Sequence, residues 1–237
     1  MFYYYGRKKQ IVRHYPPPQY DVIVEPFAGA AAYSLYHNPI VSRVILIEKD
    51  VKVAAIWKWL IYEATAKDIQ ALPDLKPGER STEFLHIIHA ATKMAFAFKR
   101  IKVTPVLARN WEISRRVFAK HLPDIKHWEI VCGDYTEAPD IEATWFIDPP
   151  YRGEPGMGYR HSSAKMDYAA LAKWVQSRKG DTICCEGAGA DYLPFRHLLE
   201  LKGIAGKTSR EMIFYHPGKN LSQPYLFEDI AVSHQFN

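Results

Sequence analysis

The sequence lacks any apolar run near the roughly 20 residues that a membrane-spanning helix needs, and its first aromatic residues lead into basic ones rather than into a signal-peptide core. Cysteine is also scarce: Cys132, Cys184 and Cys185 form no CxxC pair and offer no disulfide framework. All three lie in apolar, strand-like runs, so we expect them to be core residues in a reducing compartment. These absences predict a soluble, cytoplasmic protein with no membrane partner.

A histidine pattern suited to metal binding is absent as well. The ten histidines are scattered, and His86 and His89, which have helical spacing, lack a third ligand at a convincing distance along the chain. We therefore interpret them as ordinary helix histidines. The sequence predicts no metal site, which argues against a metal-dependent hydrolase.

What is present is an alternation of strand-like and helix-like runs. The 237 residues, 48% of them hydrophobic, are sufficient for one α/β domain with an insertion. Strands are predicted at 21–25, 43–47, 128–132, 143–147 and 181–186, and helices at about 51–64, 167–178 and 192–201. Runs 211–215 and 225–232, separated by Pro217-Gly218, predict a terminal antiparallel pair. The pattern indicates a mostly parallel sheet built from residues 1–64 and 128–237.

The segment 65–127 interrupts this alternation and is predicted to be a small, mainly helical insertion. Part of it is strongly basic, with a single acid, Glu112, between residues 93 and 120. Phe96, Phe98 and Trp111 are interleaved with the cations, a composition typical of nucleic-acid-binding surfaces, although a solvated helix face is the ordinary alternative. The basic residues are Lys93, Lys99, Arg100, Lys102, Arg109, Arg115, Arg116 and Lys120.

The most informative stretch is Asp148-Pro149-Pro150-Tyr151, here called the DPPY segment, which directly follows an apolar run. Two consecutive prolines fix φ and remove two backbone donors, so a strand that enters this segment must end there. A carboxylate, a carbonyl without a competing local N–H and an aromatic ring are thereby presented together. Taken alone, the segment is equally typical of a simple turn. The glycine-rich stretch after it, residues 152–159, is predicted to be a mobile loop beside the DPPY segment.

Other strand ends carry polar or small residues. The turn from Phe27 to Ala32 contains mostly small side chains, which would let a ligand approach the backbone and the following helix closely. Glu48 ends the next strand, where nucleotide-binding α/β folds hold a ribose, while Asp50 suits the N-cap of the next helix. Since ligands bind at the carboxyl edge of open α/β sheets, a nucleoside site beside the DPPY segment is expected.

This juxtaposition suggests a chemistry. If a planar base lies on Tyr151, its exocyclic amine can donate to the Asp148 carboxylate and the Pro149 carbonyl, which leaves the nitrogen lone pair free to attack an electrophilic carbon. A base inside a duplex cannot reach such a site, so it would have to be flipped out, at a cost partly offset by stacking.

Together these motifs resemble those of the Dam-like DNA adenine methyltransferases, and most of the chain follows the order of that family. The resemblance implies a Rossmann-like methyltransferase fold, S-adenosyl-L-methionine as cofactor and double-stranded DNA as partner, and it leaves open a cognate restriction endonuclease. It implies that Asp148, Pro149, Pro150 and Tyr151 are catalytic. It implies a cofactor site formed by Tyr4, Gly6, Lys8, Glu25, Pro26, Phe27, Gly29, Glu48, Asp134, Tyr135 and Asp148, with Lys8 on the methionine carboxylate.

The sequence departs from the family at two places. Ala30-Ala31-Ala32 stands where relatives carry a second glycine in the cofactor loop, and Arg7 replaces a glycine near the start of the chain. The insertion is also short, so no recognition sequence is carried over. Two other functions stay open: methylation of an RNA adenine or of a cytosine amine, and DNA binding without catalysis.

Overall fold

Apolar runs rich in valine and isoleucine form the strands of one sheet. The structure is a computed structural model that describes residue 8 and residues 10–79, 102–159, 161–202 and 208–218. Within these ranges seven strands pair in the order β3-β2-β1-β4-β5-β7-β6. They are β1 (Val22–Pro26), β2 (Arg43–Glu48), β3 (Glu129–Cys132), β4 (Glu142–Ile147), β5 (Lys179–Gly187), β6 (Arg196–Lys202) and β7 (Thr208–His216).

The first five strands are parallel, and β7 runs antiparallel to both β5 and β6. The chain passes outward from β1 through β2 to β3, and then returns to the other side of β1 as β4. The strand order therefore reverses between β1 and β4, which is the position where open α/β sheets form a crevice at their carboxyl edge. The predicted α/β class with a mostly parallel sheet is confirmed.

Five α-helices are described: α1 (Ala32–His37), α2 (Val51–Lys58), α3 (Ala66–Ala71), α4 (Pro105–His121) and α5 (Tyr168–Gln176). Helix α2 continues as a π-helix, Trp59–Glu63. As predicted, Asp50 caps α2, because its side chain accepts from the backbone amide of Lys52. Asp167 caps α5 in the same way through Ala170. None of the helices in the described ranges is long and apolar enough to cross a membrane.

Strand β4, which delivers the DPPY segment, is buried on both faces. Trp145 and Ile147 belong to one hydrophobic cluster and Phe146 to the other. Such two-sided burial is typical of a central parallel strand and explains its continuous apolar run. The strand end is therefore fixed in position by the core.

Helix α4, which belongs to the predicted insertion, packs into the same hydrophobic cluster as α2. Trp111 and Phe118 are buried in that cluster together with Trp57. The Trp111 indole also donates to the backbone oxygen of Pro73 at 2.8 Å. The insertion is thus joined to the main core along the buried side of α4.

Two secondary-structure expectations need correction. Residues 192–201, predicted as a helix, contain strand β6, which pairs antiparallel with β7 and has a register irregularity between His197 and Leu199. A short apolar run does not distinguish helix from strand by its period, and here pairing with β7 decides for the strand. The antiparallel pair is therefore β6 with β7, and the run 225–232 lies outside the described residues.

The expectations for the cysteines and for the stretch 152–159 were met only in part. Cys184 and Cys185 are buried as predicted, but Cys132 is exposed, because it ends β3 at the sheet edge. The stretch 152–159 contains a 3-10 helix, Glu154–Gly158.

Candidate active site

A cavity of about 300 Å³ opens at the carboxyl ends of β1 to β4. It lies where the strand order reverses, as expected for this topology. Nine of the site residues that the resemblance implies line it: Lys8, Glu25, Phe27, Gly29, Glu48, Asp134, Tyr135, Asp148 and Pro150. Pro26, Pro149 and Tyr151 are not part of that lining. Tyr4 and Gly6 lie outside the described residues.

The turn after β1 brings the backbone to the cavity wall. Its path requires positive φ at Phe27, Gly29 and Ala31, with values of 81°, 46° and 46°. For an alanine this left-handed conformation costs roughly 1–2 kcal/mol, which glycine avoids. One of the three alanines that depart from the family pattern therefore occupies a conformation suited to glycine.

Trp57 of helix α2 bonds to this turn. Its fully buried indole donates to the Gly29 carbonyl at 2.8 Å. The backbone amides of Phe27 and Ala28 both donate to the Ile47 carbonyl at 3.0 Å. The turn is thus fixed to α2 and β2 by backbone and side-chain contacts.

Glu48 joins the turn to the start of α2. One carboxylate oxygen accepts from the Gly29 amide at 2.8 Å, and the other accepts from the Asp50 amide at 2.7 Å. Burial raises the pKa of Glu48 to about 7, although these backbone bonds oppose the rise. Because each carboxylate oxygen has two lone pairs, both can still accept from a ligand hydroxyl.

Glu25 is a second buried carboxyl group in the cavity wall. Its Oε2 accepts from the backbone amide of Ser34 at 3.1 Å and from the Ser34 hydroxyl at 2.6 Å. Burial dominates over these bonds and raises the pKa of Glu25 to about 8. The group is therefore largely protonated at neutral pH.

Asp134 and Tyr135 form another part of the wall. Asp134 Oδ2 accepts from Lys49 Nζ at 2.6 Å, which ties the loop after β3 to the end of β2. The Tyr135 ring stacks on Phe27 with centroids 5.3 Å apart and planes inclined by 25°. This end of the cavity therefore combines an apolar aromatic surface with a carboxylate, a combination suited to a heteroaromatic ring bearing an amine.

The DPPY segment presents its carboxylate to the cavity, but a lysine already contacts it. Lys8 Nζ lies 3.0 Å from Asp148 Oδ1 and also donates to the Tyr151 hydroxyl. Burial raises the pKa of Asp148 to about 6, with Lys8 opposing the rise. The neighbouring carboxylates hold the pKa of Lys8 above its ordinary value despite burial, so it stays charged. Tyr168 steadies the segment by donating to the Pro150 carbonyl at 2.7 Å.

Two acidic residues that could not be identified from the sequence accept hydrogen bonds from Tyr151 and from the residue that follows it. The Tyr151 hydroxyl donates to Glu211 on β7, and both oxygens of Glu186 on β5 accept from the Arg152 amide at 3.1 and 3.2 Å. Glu211 is separated from Tyr151 by 60 residues, so no local spacing could have indicated it. Glu211 also stands at the start of the apolar run 211–215, directly after Arg210, so the local pattern does not indicate that it is buried.

The chain after the DPPY segment closes one side of the cavity. Tyr159, His161, Ser162, Lys165, Met166 and Asp167 line it. Sequence reasoning treated the first part of this stretch only as a loop. Residue type alone does not show which loop side chains face a cavity.

The predicted DNA-binding cations differ in their exposure and in their contacts with the rest of the protein. Arg109, Arg116 and Lys120 are exposed on α4, and Lys102 is exposed before it. Arg115 instead donates to the Leu72 carbonyl and forms an ion pair with Asp74, which favours a structural role. Lys93, Lys99 and Arg100 lie outside the described residues.

The chain matches no protein-family model and no curated protein in sequence comparisons. In the described ranges, no group of three or more His, Cys, Asp or Glu side chains could hold a metal ion. His86 and His89 fall in the segment the structure does not describe.

Proposed function

We propose that the protein is a site-specific DNA adenine-N6 methyltransferase that uses S-adenosyl-L-methionine and acts on a flipped-out adenine, within a Rossmann-like methyltransferase fold. One observation carries the proposal. The Asp148 carboxylate shares a single cavity at the strand-order reversal with the Gly29 turn, Glu48 and Asp134. A nucleoside-binding wall and a carboxylate able to accept from an amine thus adjoin each other.

The charge of the cavity suits a cationic cofactor. Glu25 is largely protonated at neutral pH, and the other acidic residues in the lining still outnumber the lysines by five (Glu48, Asp50, Asp134, Asp148, Asp167) to three (Lys8, Lys49, Lys165). Burial raises the pKa of Glu25, Glu48 and Asp148. A cation bound nearby favours their ionised forms, so the proposed cofactor, which carries a sulfonium and an ammonium group, would be attracted to this cavity.

Several residues fit specific parts of this cofactor. The spare lone pairs of Glu48 can accept from ribose hydroxyls, and Asp134 can accept from the exocyclic amine of its adenine. Phe27 and Tyr135 offer an apolar surface against which that adenine can lie. When bound, S-adenosyl-L-methionine supplies a methyl group on a sulfonium, which departs as a neutral thioether.

The residues of the DPPY segment would prepare the acceptor amine. Asp148 accepts one N–H and the Pro149 carbonyl the other, which directs the nitrogen lone pair at the methyl carbon. As the new N–C bond forms, the amine becomes more acidic, and Asp148 is placed to accept the proton that the nitrogen loses. The amine competes with Lys8 for Asp148, because the Lys8 ammonium lies 3.0 Å from the same carboxylate.

Incubation of the protein with cofactor carrying a labelled methyl group tests the proposal. Label should enter unmethylated duplex DNA, and nucleoside analysis should recover it as N6-methyladenine. Label only in RNA, or recovered as a methylated cytosine amine, would reassign the acceptor. Absence of label from every nucleic acid, although the cofactor binds, would favour a DNA-binding protein without catalysis.

The exposed cations of α4 provide a prediction on DNA binding. Replacing Arg109, Arg116 and Lys120 with glutamine should weaken DNA binding and reduce the slope of log K against log salt by about 1 for each of these side chains that neutralises a phosphate. Cofactor affinity should not change. Equilibrium binding measured at several salt concentrations provides the slope.

Two variants sharpen this test. Lys179→Gln removes an exposed cation at the start of β5, at the opposite end of the strand from the cavity, and should leave the slope unchanged. Arg115→Gln should lower stability, because Arg115 bonds to the Leu72 carbonyl and to Asp74. An equal slope in the triple variant and the wild type would remove α4 from the DNA interface.

A further inference from the structure

We propose that Glu211 is a positioning residue that orients the Tyr151 ring for stacking on the acceptor base, acting through the Tyr151 hydroxyl. This inference rests on the proposed methyltransferase function. Glu211 is only 4% exposed and lies on β7, directly opposite Gly187 at the end of β5. The antiparallel strand thereby brings a carboxylate into contact with the Tyr151 hydroxyl.

A single carboxylate oxygen of Glu211 serves several donors. Oε1 accepts from the Tyr151 hydroxyl and, at 2.6 Å, from the hydroxyl of the buried Tyr15. Lys8 Nζ lies farther away, at 3.5 Å. Burial and the nearby carboxylates raise the pKa of both phenols well above the ordinary value, so both hydroxyls remain protonated donors. Hydrogen bonds to a charged acceptor are stronger than those between neutral groups, so this contact can fix the ring.

Two further contacts fix the Tyr151 ring and backbone. Both oxygens of Glu186 accept from the Arg152 amide, which immediately follows Tyr151. Gly187 lies against the ring, since a Cβ added at Gly187 would come within 3.2 Å of Tyr151 Cδ2. The hydroxyl contact with Glu211 complements these two, because it restrains the end of the side chain that the backbone contact does not reach.

The position of a stacking ring matters because the acceptor nitrogen must lie in line with the methyl group. Errors of about 1 Å in such placement can cost on the order of a hundredfold in rate. Removal of the Glu211 carboxylate should therefore lower kcat, while the KM for the cofactor should change little, because its proposed contacts Glu48 and Asp134 lie at the ends of β2 and β3, on the other side of β4 from β7.

A double-mutant cycle with Glu211→Gln and Tyr151→Phe tests the assignment. Each substitution removes one side of the same charged hydrogen bond while keeping the size of the side chain. Each alone should lower kcat about tenfold, with the cofactor KM within about twofold of the wild type. The kcat of the double variant should be within about twofold of that of Tyr151→Phe alone, because the hydroxyl through which Glu211 acts is already absent. Glu200→Gln, an exposed change on neighbouring β6, is the matched control.

The possible outcomes distinguish the assignment of Glu211 from the proposed methyltransferase function. Additive decreases in the cycle, or full activity in either single variant, would overturn the assignment while leaving the methyltransferase proposal in place. If Glu211→Gln fails to fold, Tyr151→Phe alone still decides, because wild-type kcat in that variant contradicts a role for the hydroxyl. A folded wild-type protein that transfers no methyl group to any nucleic acid overturns the proposed function and this assignment with it.

Discussion

Replacing Asp148 with alanine is expected to lower kcat for methyl transfer by about a thousandfold, while cofactor affinity changes far less. In the proposed mechanism, the acceptor amine would lose the carboxylate that accepts from one of its N–H groups, and Lys8 would lose its nearest ion-pair partner. The Gly29 turn, Glu48 and Asp134, which form the proposed nucleoside-binding wall, would remain in place. Single-turnover transfer of labelled methyl groups, together with cofactor binding by calorimetry, separates the two effects.

The matched control for this variant is Asp140→Asn. Asp140 is an acid outside the cavity that forms an exposed ion pair with Lys179, so its replacement should leave kcat unchanged. The wild-type kcat/KM should also decrease as pH falls through about 6, where the Asp148 carboxylate of the free protein becomes protonated. Persistent methylation of DNA by Asp148→Ala at the wild-type rate would exclude the proposed mechanism.

Apart from Lys8, the predicted site residues that line the cavity share one property: each lies at or just after the end of a parallel strand. Glu48, Asp134 and Asp148 follow β2, β3 and β4, and the sheet brings these strand ends to one edge. Their proximity follows from topology, so local sequence is sufficient to nominate them. The contacts that hold these residues in place cannot be predicted in this way, because their partners are distant in the sequence.

Glu211 and Trp57 illustrate the limit of sequence reasoning. Glu211 reaches Tyr151 only because β7 inserts antiparallel beside β5, and the register of that pairing cannot be read from a strand pattern. Trp57 has the appearance of an ordinary core residue, and its bond to the Gly29 carbonyl depends on how α2 packs against the turn. Long-range packing determines both roles.

Local sequence also failed to predict an edge strand, and it did not distinguish the cations of a basic run from one another. Residues 196–202 form a strand because β7 offers a partner, whereas their short apolar run suited a helix equally well. Arg115 belonged to a basic run that predicts a nucleic-acid surface, but it bonds to the Leu72 carbonyl and Asp74. Composition indicates that a segment is basic, and only the fold decides which of its cations face solvent.

The second large effect expected is a gain in stability at alkaline pH when Glu25 is replaced by glutamine. The pKa of Glu25 is about 8 in the folded protein, above its ordinary value of 4.5. The folded state therefore binds more protons than the unfolded state between these values. The stabilising contribution of Glu25 is fully present below pH 4.5 and is lost as pH rises through about 8. Glutamine carries no titrating proton, yet its oxygen can still accept from Ser34.

Urea unfolding of the wild type and of Glu25→Gln at about pH 5 and about pH 9 measures this effect. The two free energies of unfolding should be close at the lower pH, and the variant should be more stable by several kcal/mol at the higher pH. Glu129→Gln is the control with the opposite sign, because the hydrogen bond from Arg43 lowers the pKa of that exposed carboxylate. Its difference from the wild type should be constant over the same pH range. A constant difference for Glu25→Gln as well would mean that Glu25 is ionised throughout, and that the cavity already favours its charged form without a bound cation.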